Sequence, residues 1–167
     1  MSHPLEPNSD DQPDGLPRAG RIAALDYGSV RIGVAVTDPD QKFASPLENY
    51  TRRGQAKDQA WIQDLVRNER IAGLVIGLPL HTSGTESQKS GEVRAFARWL
   101  VPLVNLPIAL FDERFTTSQA NQLMADAGLT SKQRKERRDK IAALVLLQSY
   151  LESSRTAQPA RGLDDRA

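Results

Sequence analysis

One stretch constrains this chain more than any other: RIAALDYGSVRIGVAVTD, from Arg21 to Asp38. It reads as a strand, a tight turn and a second strand returning beside the first. Ile22, Ala24 and Leu25 lead into Asp26, and Ile32, Val34 and Val36 alternate on the way back. Gly28 is expected to make the turn with positive φ. Asp26 then stands at the end of a hydrophobic strand, at the mouth of a core, where a sheet would hold it rigidly. A carboxylate so held suits a metal ion, although an Asp before a glycine also starts turns.

At 167 residues the chain suits one domain whose core can fold unaided. It has no cysteine, which excludes a disulfide framework and a cysteine-ligated zinc site. The opening MSHPLEPNSDDQPDG is polar and proline-rich, unlike a signal peptide or an anchor. No run approaches the roughly 20 apolar residues of a spanning helix. A cytoplasmic protein without membrane association is expected. A net charge of +1 leaves any nucleic-acid argument to local clusters. Residues 1–19 and 156–167 read as flexible tails around one domain at 20–155.

Within the domain, Phe43 to Thr51 reads as a third strand, and Pro46, which cannot donate a ladder hydrogen bond, suits a sheet edge or a strand's first residues. Residues 56–70 carry Trp61, Ile62, Leu65 and Val66 on one helical face. IAGLVIGLP is short and continuously apolar, as a strand buried on both faces would be. Thr85 and Gln88 have capping-box spacing for a helix with Val93, Phe96, Ala97, Leu100, Leu103 and Val104 in one stripe. Pro107 opens a last strand, IALFD, which delivers Asp112 and Glu113 at its end. Thr116 and Gln119 repeat the capping spacing for a helix stopped by Gly128. Ser131 to Arg155 reads as one long helix, or as a short basic one before a longer apolar one. The order is β-β-β-α-β-α-β-α-α, an α/β chain.

Sites in open α/β sheets gather at the carboxyl ends of strands. Asp26, the pair Asp112 and Glu113, and Asp139 before IAALVLL could therefore meet. Ala142 and Ala143 would let that last helix approach the sheet closely. Clustered carboxylates repel one another, so such a group favours Mg²⁺ or Mn²⁺, hard ions that prefer oxygen. Read singly, each acid also fits a surface or capping position.

Four motifs, LDYGSVRIGVAVTD, VIGLPLHTSGTES, DERFTTSQA and DKIAALVLLQSYL, resemble in order and spacing the YqgF family, whose members are also called RuvX, Holliday junction resolvases or pre-16S rRNA nucleases. The resemblance runs from Arg21 to Glu152. It implies an RNase H-like, RuvC-like fold: a five-stranded mixed sheet, three antiparallel strands and then two parallel ones, flanked by helices. It also implies a metal-dependent endonuclease that hydrolyses phosphodiester bonds. Its acidic site would fall on Asp26, Glu113 and Asp139, with Asp112 the alternative to Glu113, around two Mg²⁺ or Mn²⁺ ions bridged by Asp26. Three positions depart from the family pattern: His81 stands for Asn, Phe115 for Leu, and Arg138 for an apolar residue. These bear on substrate contacts more than on the carboxylates.

Nucleic acid reaching such a site needs cations beside it. Arg31, Arg114 and the run SKQRKERRDK, with Lys132, Arg134, Lys135, Arg137, Arg138 and Lys140, are the candidates. The same run, with Glu136 and Asp139 interspersed, also fits a solvated helix face. His81 lies in a polar loop, either near the scissile phosphate or solvated. No stacking platform or groove-reading motif is legible, which points to selection by RNA shape or by a partner such as a pre-ribosomal particle. Processing of the 5′ end of pre-16S rRNA is favoured over a four-way DNA junction. The junction reading requires a dimer, and monomer and homodimer both stay open. Two other classes compete. An actin-like ATPase begins with the same strand, Asp-x-Gly and strand, but needs two such subdomains. A non-catalytic nucleic-acid-binding module would keep the fold, although all three acids are present.

Overall fold

Strands β1 (Arg21–Tyr27) and β2 (Arg31–Thr37) form the expected antiparallel hairpin, with Asp26 opposite Gly33. The computed structural model describes residues 15–81, 83–115 and 128–156. After the hairpin come β3 (Ala44–Thr51), α1 (Gln55–Asn68), β4 (Ile71–Leu78), α2 (Gln88–Val104) and β5 (Ile108–Asp112). A 3₁₀ turn at Glu113–Phe115 and α3 (Ser131–Thr156) complete the described chain. The helix expected between Thr116 and Gly128 lies outside the described residues.

The five strands lie in the order β3-β2-β1-β4-β5. β2 runs antiparallel to both neighbours, while β1, β4 and β5 are parallel, the expected mixed sheet. β3 takes the edge, a position in which Pro46 is tolerated. Pairing jumps from Val34–Glu48 to Ala35–Pro46, a bulge that leaves Leu47 unopposed.

Both faces are covered, which explains the unbroken apolar runs of β1 and β4. Ala23, Leu25, Ile32, Val34, Leu74 and Ile76 belong to the core shared with α1 and α2, through Ile62, Leu65, Phe96 and Leu100. Ile22, Ala24, Ala35, Val75 and Phe111 belong to the opposite core, closed by Ala143, Leu146, Leu147 and Tyr150 of α3. The α3 segment is one helix, and reciprocal bonds start it: the Gln133 N–H donates to Thr130 Oγ1 at 3.2 Å and the Thr130 N–H to Gln133 Oε1 at 2.9 Å. No described helix is long and apolar enough to cross a membrane.

Three local expectations change. Gly28 does not have positive φ; what requires glycine there is space, since a Cβ would stand 2.5 Å from the Arg31 carbonyl oxygen. The capping box of α2 is Ser87–Ser90, not Thr85–Gln88. Thr85 is committed to the preceding loop, accepting from the His81 N–H at 3.1 Å, so the helix begins two residues later. Finally, part of the stretch 16–19, counted with the N-terminal tail, is anchored to the domain. Leu16 is buried in the α3-side core, and the Gln41 side chain donates to the carbonyls of Pro17 and Gly20 at 2.8 and 2.9 Å. A polar, proline-rich stretch hid one apolar anchor.

Candidate active site

Parallel pairing sets three strand ends side by side: Leu25 pairs with Ile76, and Gly77 with Phe111. Asp26, Gly77 and the chain leaving β5 therefore meet at the carboxyl edge of the sheet. Glu113, the first residue of the 3₁₀ turn, folds back over Gly77. A Cβ on that glycine would lie 2.5 Å from Glu113 Oε1, so only glycine lets the carboxyl rest against the strand. The Glu113 residue keeps an exposed surface, but its carboxyl head is turned inward. Desolvation there, and next the negative charge of Asp26, raise its pKa above the ordinary carboxylate value, with Lys89 opposing. Two carboxylates placed to repel one another, offering only oxygen donors, fit a hard divalent cation.

Asp112 has a different partner. Its carboxylate accepts from Arg114 Nε at 2.9 and 3.0 Å, from Nη2 at 2.5 Å and from the Arg114 backbone N–H at 2.9 Å. The Arg114 side chain, against the effect of burial, holds the Asp112 pKa below the usual range. That guanidinium also packs under Gly84, whose φ is 82° and whose Cβ would lie 3.1 Å from Nη1. Arg114 thus braces the loop carrying His81, which closes on itself through a 2.7 Å bond from the Gly84 N–H to the His81 carbonyl. His81 is exposed.

Residues 20–153 match the family model described as "RuvX: Holliday junction resolvase". The chain belongs to the RuvX family. A protein of Rhodopirellula baltica named "Putative pre-16S rRNA nuclease" is 51% identical over 142 residues, 85% of this chain and 82% of that one. A relative of the same name in Rhodobacter capsulatus is 41% identical over 146 residues, 87% of this chain and 92% of that one. The fold is similar to that of T. thermophilus RuvC in complex with a Holliday junction substrate, with a TM-score of 0.50 at 12% identity, over 82% of this chain and 96% of that one. These family names describe one chemistry, hydrolysis of phosphodiester bonds in nucleic acid.

Of the acids expected from the RuvX resemblance, Asp26 and Glu113 are brought together. Among the described residues no group of three or more His, Asp or Glu is assembled. Asp139 occupies the position in α3 one turn before Ala143, which is buried against the sheet, but its side chain lies outside the described structure. Arg31 is exposed at the start of β2, and Lys132, Lys135, Arg137 and Arg138 are exposed in the first turns of α3. The side chains of Arg134 and Lys140 lie outside the described structure.

Sequence reasoning missed a group on the other side of β1. Tyr27 follows Asp26 and so points to the opposite face, where its ring centre is 4.6 Å from that of Phe96. Its hydroxyl accepts from Arg52 Nη1 at 3.0 Å, and Lys89 Nζ lies 5.4 Å from the ring centre. Arg52 is itself fixed by Asp58, only 3% exposed, at 3.3 Å. Asp58 also accepts from the Tyr50 hydroxyl at 2.8 Å and the Arg53 N–H at 2.9 Å. Burial disfavours the Asp58 charge, but these bonds outweigh it and keep the pKa below the ordinary value. A signal for Gly77 existed, a glycine ending an apolar strand. Nothing marks Asp58 or Lys89, which read as polar faces of their helices.

Proposed function

We propose that this protein is a divalent-metal-dependent endonuclease that trims the 5′ end of pre-16S rRNA in the cytoplasm. The observation that carries the reading is the Glu113 carboxyl lying over Gly77 beside Asp26, at the carboxyl edge of a RuvX-family sheet. Asp26, Glu113 and Asp139 would hold the metal, two Mg²⁺ or Mn²⁺ ions, with Asp112 left to Arg114. Bound there, the metal supplies Lewis acidity toward water and the departing oxygen. The protein's own part is to fix the acids on a sheet edge and to bring the phosphate chain to them. Arg31, Lys132, Lys135, Arg137 and Arg138, with Arg134, neutralise backbone phosphates on the α3 side. His81 contacts the substrate from its exposed loop, and Arg114 acts by holding that loop in place.

RNA is preferred on the names of the relatives, and the family description keeps a second reading, resolution of a four-way DNA junction. Labelled pre-16S 5′-end RNA and a four-way DNA junction should be incubated with Mg²⁺ or Mn²⁺ and with wild-type or Asp26→Asn protein. Metal-dependent cutting of the RNA, lost in Asp26→Asn while binding persists, is expected. Cutting of the junction alone, by a dimer in sedimentation, would move the protein to DNA recombination. Binding without cutting of either would overturn the enzymatic reading.

A further inference from the structure

Beside the acidic edge of the sheet stands a cation that no sequence motif marked. Lys89 sits in the first turn of α2, and α2 begins directly at the site: its N-cap Ser87 donates from Oγ to the carbonyl of Pro79 at 3.4 Å, just past Gly77 and Leu78. The Lys89 ammonium rests 5.4 Å from the centre of the Tyr27 ring, a cation–π distance. Tyr27 is a fixed support, tied by Arg52 at its hydroxyl and packed on Phe96. A lysine at a helix N-terminus opposes the helix dipole, and the first turn of α2 contains no acid to offset it. Glu86, the nearest acid in sequence before it, is taken by Arg94 at 2.6 and 2.9 Å. Among the described residues Lys89 has no ion-pair partner, although its charge is felt by Glu113.

We propose that Lys89, seated on Tyr27 beside the Asp26–Glu113 pair, contacts a phosphate of the bound nucleic acid next to the bond that is cut. The inference rests on the nuclease reading and adds to it a contact on the α2 side of the sheet, the face opposite the one that α3 covers. An acidic pair repels the substrate's phosphates, and a cation free of carboxylate partners at the same edge offsets that repulsion where it is strongest. Tyr27 is a positioning residue in this scheme, because it holds the ammonium and does not itself reach the substrate.

Lys89→Met keeps the length of the side chain and removes the charge; Lys89→Arg restores the charge. Both are compared with wild type in cleavage of whichever of the two substrates is cut. Binding is then measured against KCl concentration in an Asp26→Asn background. Lys89→Met should lower kcat/KM about tenfold, mainly by raising KM, and should make the log–log salt slope shallower by about 0.7–0.9, one phosphate contact. Lys89→Arg should recover both, with the melting temperature unchanged in each variant. An unchanged salt slope would overturn the proposal, whether kcat/KM holds or kcat alone falls, since a residue acting only through Glu113 would leave binding untouched. If wild type neither binds nor cuts either nucleic acid, the nuclease reading fails and takes this inference with it. That signature differs from an active wild type matched by Lys89→Met.

Discussion

Gly77→Ala separates the fold of this protein from its chemistry. The backbone at Gly77 is ordinary strand, without positive φ, so alanine suits the conformation. The nearest atoms to the new methyl all belong to the Glu113 side chain: Oε1 at 2.5 Å, Cδ and Cγ at 3.3 Å. To restore ordinary contact at 3.4 Å, the carboxyl must retreat by about 0.9 Å, and more if it changes rotamer. The end of a flexible side chain on a partly exposed residue yields before the sheet does. Losing a strand glycine restricts the unfolded chain and gains about 0.4–1 kcal/mol. Moving Glu113 away also relieves its desolvation. The melting temperature should therefore hold or rise by a few degrees. A reacting group displaced by about 1 Å costs about 100-fold in rate, or ~2.7 kcal/mol.

The assay is metal-dependent cleavage of the substrate that wild type cuts, with calorimetry on the same samples. A loss of about 100-fold in kcat/KM without loss of stability is expected, and metal-free binding should be unchanged. Adding Glu113→Asp, one methylene shorter, should return about tenfold of the loss, because the shorter acid clears the methyl. If Gly77→Ala cuts within threefold of wild type, the seat of Glu113 on Gly77 has no part in the reaction. The argument for Glu113 as the acid would then collapse.

Other perturbations test neighbouring steps. Glu113→Gln should abolish cleavage, whereas Asp112→Asn, which only loosens Arg114 and its loop, should lower kcat/KM by tenfold or less; equal losses would refute the division between them. Asp58→Ala removes the acceptor of three hydrogen bonds in a nearly sealed site, and should cost about 2–3 kcal/mol in urea unfolding. In wild type the Asp58 pKa is lowered on folding, so its contribution is full above the unfolded value of about 3.9 and fades as pH falls through the folded value. Urea midpoints taken from pH 6 downward should therefore drop more steeply for wild type than for Asp58→Asn. Replacing Lys132, Lys135 and Arg137 together by Gln should make the salt slope of binding shallower by about 2–3, with little change in melting temperature.

The sheet was legible because its strands obey simple rules. β2 alternates, β1 and β4 carry unbroken apolar runs, and Pro46, which suits an edge or a strand's first residues, agrees with β3 at the edge. Short-range competition was less legible. Ser87 and Ser90 share the spacing of Thr85 and Gln88 less conspicuously than a Thr with a Gln, and only the loop bond from His81 to Thr85 shows why the earlier start fails. The Tyr27–Arg52–Asp58 cluster joins residues as far apart as 31 positions, through side chains that each look ordinary alone. Sequence shows no partner for a buried acid when the partner comes from another element.

The choice between Asp112 and Glu113 shows what kind of information was missing. Alternation along a strand says that one neighbour faces each side, but not which side matters. In the structure, Ala24, Val75, Ala109 and Phe111 all pack with the α3-side core. Continuing each strand by the same parity carries Asp26, Gly77 and Glu113 to that side, and Asp112 to the other. The 3₁₀ turn directly after Asp112 ends the strand, and Glu113 folds from it onto Gly77. A shift of one residue in the β4–β5 register, Gly77 to Phe111, would exchange the two acids. The site therefore depends on the register of β5 as much as on its carboxylates. Motif matching finds the DER triplet, while the β4–β5 register decides which of its acids faces Asp26.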